Sequence, residues 1–185
     1  MYRMIFVGLF MFVAVSVSPG MLGAQQSVES DPKGEQLDPK ADTQTFLTIA
    51  AEEQQVAITL GQLATQRAKN EKVKEFSSKM VEEHKKVRRE AEQLAAKHRV
   101  ALPTKLTPED KKKVEEMSKL SGHEFDRAYM NFALQNHETT LEEYQQHIKT
   151  MRYPDLREYF TATLPVLKEH RDQARLVKNS LQTSP

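Results

Sequence analysis

Three histidines, His84, His137 and His170, fall near the middles of three different helical stretches, each on the apolar stripe of its stretch. A polar side chain on such a stripe is costly to bury unless something satisfies it. An imidazole supplies a neutral nitrogen, and Glu53, on a fourth stripe, supplies a carboxylate oxygen. That donor set suits zinc, copper, iron or manganese. Met80, one turn before His84, would add a soft sulfur and tilt the choice toward copper. The alternative is a core hydrogen-bond cluster, with the imidazoles paired to Glu53, Tyr144, Thr163 or water. Metal binding through neutral imidazoles should weaken as they protonate in acid. His98 lies at a helix end, where the dipole favours its charge, and reads as structural. His123 and His147 read as solvated.

The spacing argues against a di-iron carboxylate centre. Such a centre needs a Glu three residues before a His on two helices. Here those positions hold Val81 and Leu167. The neighbouring acids Glu83 and Glu169 sit one position off, about 100° around a helix. A mononuclear, histidine-rich site is geometrically easier. There is no phosphate loop, no Gly-rich dinucleotide fingerprint and no helical His-Glu-x-x-His. The basic run Lys85 to Arg89 is flanked by Glu82, Glu83, Glu90 and Glu92 and reads as a solvated face with i,i+4 pairs.

Four long helices must position these residues, since apolar residues recur at spacings of three and four and strand patterns are nearly absent. The first runs from about Thr43 to Ala68 with the stripe Phe46, Ala50, Glu53, Ala57, Leu60 and Ala64. Asn70 ends it and caps the second, from about Glu71 to His98, whose stripe includes Phe76, Met80, His84, Val87 and Leu94. Thr107-Pro108-Glu109-Asp110 starts a short helix to about Lys119, with Thr as cap and Pro at the first position. Ser121-Gly122-His123-Glu124 reads as a capping box for the third long helix, which reaches about Thr150. The fourth follows Pro154-Asp155 and carries Leu156, Phe160, Leu167, His170 and Leu181, with Pro165 expected to bend or break it. The helix midpoints fall near residues 55, 84, 136 and 167. Glu53, His84, His137 and His170 are therefore expected at one level. Short turns make two antiparallel hairpins, and Arg99 to Leu120 is long enough to travel the length of the bundle. The expected fold is all-α, a ferritin-like four-helix bundle with a long crossover that contains a short helix. An up-down-up-down bundle is the alternative.

The 185 residues suffice for one domain with a real core. Residues 1–24 read as a secretory signal peptide: Arg3, then an apolar run from Ile5 to Val17 too short to span a bilayer, then Gly23-Ala24 as the cleavage site. Leu22 is a poor fit three positions before the cut, and an uncleaved anchor is the alternative. Removing this segment leaves 26 basic and 26 acidic residues, so the mature chain is neutral. A neutral chain has no global field for nucleic acid or anionic lipid. Zero Cys excludes disulfides, thiolate ligands and a cysteine-borne lipid anchor. Residues 25–41, polar and broken by Pro32, Gly34 and Pro39, read as a disordered tether. The bundle domain is expected over 42–179, with 180–185 as a tail.

Several pieces, in order, give the chain a family likeness: Phe46 with Ala50, Gly61-Gln62-Leu63-Ala64, Val73-Lys74-Glu75-Phe76, Met80-Val81-Glu82-Glu83-His84, Leu102-Pro103, Phe125-Asp126 with Tyr129, His137, and Pro165-Val166-Leu167-Lys168-Glu169-His170. Together they resemble the bacterial envelope family called domain of unknown function 4142, a predicted outer-membrane protein grouped with ferritin-like folds. The resemblance spans nearly all of residues 42–177. It implies an exported helical bundle and no particular activity. Family members often carry a Glu shortly before the Leu-Gly of the first helix, where this chain has Ala57; Glu53, one turn earlier, is the expected substitute. Barrel strands are absent from the pattern, so the expected place is the periplasm, soluble or loosely associated with the outer membrane.

The leading functional expectation is a non-enzymatic envelope stress or interaction factor, with an envelope protein or a second copy of the chain as partner. The second is a protein that binds or buffers a transition metal (zinc, copper or iron) at His84, His137 and His170. A ferritin-type redox enzyme is the third.

Overall fold

Prolines and cap residues set where the helices begin and end. In the computed structural model, which describes residues 39–182, five helices form: α1 Pro39–Arg67, α2 Glu71–His98, α3 Pro108–Ser118, α4 Gly122–Thr150 and α5 Pro154–Gln182. The expected signal peptide, most of the expected tether and residues 183–185 lie outside the described residues. Helix α1 begins at Pro39, three residues inside the expected tether, because the fixed φ and missing N–H of proline suit a first helical turn. Asn70 caps α2 by accepting from the Lys72 N–H at 2.9 Å. Thr107 caps α3 by accepting from the Asp110 N–H at 3.0 Å. The capping box expected at Ser121 does not close, since the Ser121 side chain makes no cap hydrogen bond. Gly122 instead opens α4 at φ +58°, a left-handed conformation that glycine adopts without steric cost. Pro165 does not break α5, which stays one helix through Gln182.

The cross-helix contacts fix the helix directions. Backbone N–H groups of Lys69 and Asn70, at the α1–α2 turn, both donate to the buried Asp126 carboxylate near the start of α4, at 3.0 Å each. Phe46, near the start of α1, packs on His147 near the end of α4. Helices α1 and α4 are therefore antiparallel. His98, at the end of α2, bonds Asp155 at the start of α5 (3.0 Å), so α2 and α5 are antiparallel too. Helices α2 and α4 consequently run the same way, and the chain between them must return along the whole bundle. Val100 packs in the core at one end and Met117 of α3 in the core at the other. The arrangement is thus the one with a long crossover, not up-down-up-down. Arg88 pins the crossover by donating to the Pro103 carbonyl at 3.1 Å and to the Ala51 carbonyl at 3.0 Å.

Two apolar cores fill the bundle, one toward each end. The first gathers Leu60, Val73, Phe76, Phe125, Tyr129 and Met130. The second gathers Leu47, Tyr144, Met151, Leu156, Phe160 and Leu167. Each fully buried large side chain stabilises by about 1.5–3 kcal/mol. Gly61 permits α1 and α2 to approach closely, because a Cβ there would meet Val81 Cγ2 at 2.7 Å. The three mid-helix histidines are absent from both cores and lie buried between them.

Candidate metal centre

The helix spacing that puts His84 on the α2 stripe, His137 on α4 and His170 on α5 turns all three inward at one level. Their exposures are 4 %, 3 % and 1 %. The ring centroids form a nearly equilateral triangle: 5.5 Å between His84 and His137, and 5.3 Å on each of the other two sides. One nitrogen of each ring lies within 4.8 Å of the other two.

Hydrogen bonds fix which nitrogen each ring turns to the others. His84 Nδ1 bonds Gln54 Oε1 at 2.6 Å, His137 Nδ1 bonds the Ala133 carbonyl at 2.7 Å, and His170 Nε2 bonds Glu83 Oε2. A carbonyl and a carboxylate only accept, so each of these ring nitrogens must carry the proton. The remaining nitrogens, His84 Nε2, His137 Nε2 and His170 Nδ1, are then bare lone pairs. All three are buried without a hydrogen-bond partner. Burial and the neighbouring imidazoles hold His84 well below the ordinary histidine pKa. Burial takes His137 down to about 4, against the upward pull of the Ala133 carbonyl. Burial also lowers His170, although Glu83 opposes it. The trio is therefore neutral at pH 7.

Magnitudes bear on what such a cluster is for. A buried polar atom left unpaired costs about 1–3 kcal/mol, so three cost about 3–9 kcal/mol. Whole-domain stability is about 5–15 kcal/mol. One water has two protons and would satisfy two of the three lone pairs. A metal ion accepts all three. Its bonds of about 2.0–2.1 Å need the nitrogens about 3.4 Å apart, so the rings would draw inward. The outward N–H of each ring already meets a carboxylate, a backbone carbonyl or an amide oxygen, the partners that orient metal-ligating histidines.

Gln54 and Glu83 are the two functional residues the sequence reading missed. Gln54 is 1 % exposed and lies on a second α1 stripe, Leu47-Ala51-Gln54-Ile58, whose four-three-four spacing was the available signal. Glu83 sits one position off the stripe. It acts from beside the stripe, reaching across to His170 on α5. The partners anticipated for the histidines take other roles: Thr163 bonds the Tyr159 carbonyl at 2.8 Å, and Tyr144 lies in the second core.

Glu53 does not join the trio. It accepts from Thr140 Oγ1 at 3.2 Å. Thr140 follows His137 by three residues, which places this contact about 4.5 Å further along α4. Glu53 Oε2 and the Tyr144 hydroxyl are buried without a partner of good geometry. Burial raises the Glu53 carboxyl to about 8; Tyr144 and Thr140 pull it down, and Glu143 adds to the rise. Glu53 is thus largely protonated at pH 7. Met80 borders the trio, lining a cavity of about 10 Å³ together with His84, His137 and Ala57. His98, at the end of α2, is held by Asp155 at 3.0 Å. His123 is solvent-facing, with its side chain 59 % exposed. His147 is half-buried, because its ring packs on Phe46 at 4.9 Å.

No helix among the described residues is long and apolar enough to cross a membrane. No curated protein matches the chain. Among solved structures it is similar to a DUF305 fragment from Deinococcus radiodurans, at 11 % identity and a TM-score of 0.65, over 77 % of this chain and 97 % of that one. That likeness concerns the fold alone. A family model described as "Domain of unknown function (DUF4142)" matches residues 27–177, and with that span covered the chain belongs to the DUF4142 family.

Proposed function

We propose that this protein is an exported, metal-binding helical bundle that holds one zinc or copper ion at His84, His137 and His170 and serves to bind or buffer it. The observation that carries the reading is the set of three buried lone pairs turned toward one another, each ring anchored from behind by an acceptor. Nitrogen donors without thiolate or inward carboxylate suit zinc and copper better than a di-iron centre. Glu83, bonded to His170, would offset part of the ion's charge. This geometry moves metal binding ahead of the interaction-factor reading, and of the ferritin-type redox enzyme. Export follows the N-terminal segment, and the periplasm is the proposed location.

The experiment is metal titration of protein purified without chelator or affinity tag. One zinc or copper ion per chain is expected, with a metal-dependent rise in Tm of several degrees. At a thousandfold excess over Kd the added stability is about 4 kcal/mol. His84→Ala and His137→Ala should each abolish stoichiometric uptake and the thermal shift. Wild-type protein showing neither would leave the trio as a hydrogen-bond cluster and end the metal reading. Intact mass of the periplasmic fraction should start at Gln25; retention of residues 1–24 would overturn the cleaved-export part alone.

A further inference from the structure

Three of the four long helices supply one nitrogen each to the trio, and α1 supplies none. At this level α1 presents Gln54, whose amide oxygen is taken by His84, and Ala57, whose side chain is a methyl group. Among the described residues no carboxylate joins the three nitrogens. Zinc and copper favour a fourth ligand beyond three imidazoles. The direction left for it is the α1 side, where the small cavity lies between Ala57 and the rings of His84 and His137. Met80, Tyr129, Phe132, Ala133 and Asn136 complete its wall. About 10 Å³ is at the lower bound for one water-sized molecule. Phe132 and Asn136 are only partly buried, so the cavity's outer wall borders the surface of α4. Lys113 of α3 lies 5.5 Å over the Phe132 ring, so the crossover covers part of that wall.

We propose, resting on the metal reading above, that the ion at His84, His137 and His170 keeps one coordination position open toward this cavity, and that the position takes a single water-sized exogenous ligand: water, hydroxide or fluoride. The walls explain the size limit. Ala57, Met80, Phe132 and Ala133 offer no charge to hold a larger anion, and the only polar groups beside the imidazoles are the Asn136 amide and the Tyr129 phenol. Three protein nitrogens plus an exchangeable ligand is the pattern of a reactive metal site; a purely structural site closes its fourth position with protein. The competing fourth ligand is the Met80 thioether, which lines the same space.

The test uses the full exported chain loaded with one equivalent of Cu²⁺ and read by electron paramagnetic resonance. In D₂O, wild type should show a strongly coupled exchangeable deuteron on copper-bound oxygen, beyond the weak coupling of the remote imidazole N–D groups, and added fluoride should give a resolved fluorine splitting. Ala57→Val fills the cavity and should lose both signals while still binding one copper per chain. Met80→Leu should keep both. Circular dichroism and Tm establish that the variants fold; the wild-type deuteron and fluoride signals test the open position without any variant. Copper bound with neither signal would overturn the proposal and leave the metal reading standing. So would a Met80→Leu spectrum that differs from wild type at sulfur, or an Ala57→Val protein that keeps the water. Wild type that binds no copper would overturn both readings.

Discussion

Two polar groups sit side by side in the middle of this bundle and solve burial in opposite ways. The histidine trio is three neutral bases whose lone pairs converge, with their protons tied outward to Gln54, Ala133 and Glu83. The neighbouring group is an acid, Glu53, kept largely protonated by burial and set beside Tyr144 and Thr140. Between them they hold all five buried side-chain atoms left without a hydrogen-bond partner among the described residues. Burial alone does not make a ligand. Both groups are desolvated, yet the trio presents electron pairs to a common point. Glu53 presents a carboxyl that must first lose a proton. The trio could hold a cation, and the Glu53 group stays neutral at pH 7.

Their pH signatures should therefore have opposite signs, and that of Glu53 exceeds that of His137 taken alone. The unfolded chain releases the Glu53 proton above about 4.5, while the folded chain keeps it until about 8. The stability tied to this group is full below pH 4.5 and declines as pH rises to 8, by up to about 5 kcal/mol. Glu53→Gln keeps the shape and cannot ionise, so its denaturation free energy should lack that decline and exceed wild type at pH 8. Equal alkaline slopes in variant and wild type would break the contrast.

The effect of His137 runs the other way and, taken alone, is somewhat smaller. The unfolded chain takes up a proton at His137 below 6.5, while the folded chain does so only near pH 4. The stability of metal-free protein is full above pH 6.5 and falls by about 3 kcal/mol as pH drops to 4. His84 and His170, shifted in the same direction, steepen that fall. His137→Asn, which retains a donor for the Ala133 carbonyl, should have the shallower acid slope in urea titrations. Metal binding, expected from the sequence to weaken below neutral pH, should by the same depressed pKa values persist into more acidic solution.

The smallest effect sharpens the acid's side of the comparison. Tyr144→Phe removes a hydroxyl that has no well-formed partner, so stability at pH 7 should change by no more than about 1 kcal/mol. Tyr144 also pulls the Glu53 pKa down, so without it the alkaline decline should extend to higher pH. A loss well above 1 kcal/mol at pH 7 would show that the hydroxyl holds a bond the comparison denies it.

The sequence by itself determined the helices, their caps at Asn70 and Thr107, and the inward turn of His84, His137 and His170. These follow from 3.6-residue periodicity and from backbone chemistry within a few residues. It also limited the topology to two, because only a long connection can return along the bundle. Tertiary structure decided the rest. Helix directions chose the crossover arrangement and set Glu53 beside Thr140 instead of among the imidazoles. A residue's height in a bundle depends on how helices slide against one another, and midpoints estimate that only to about a turn. Gln54 and Glu83 became the anchors of His84 and His170 through contacts 30 and 87 residues apart in the chain, a separation that local patterns do not encode. The tautomer of each imidazole, and with it the convergence of three lone pairs, exists only once those partners are in place.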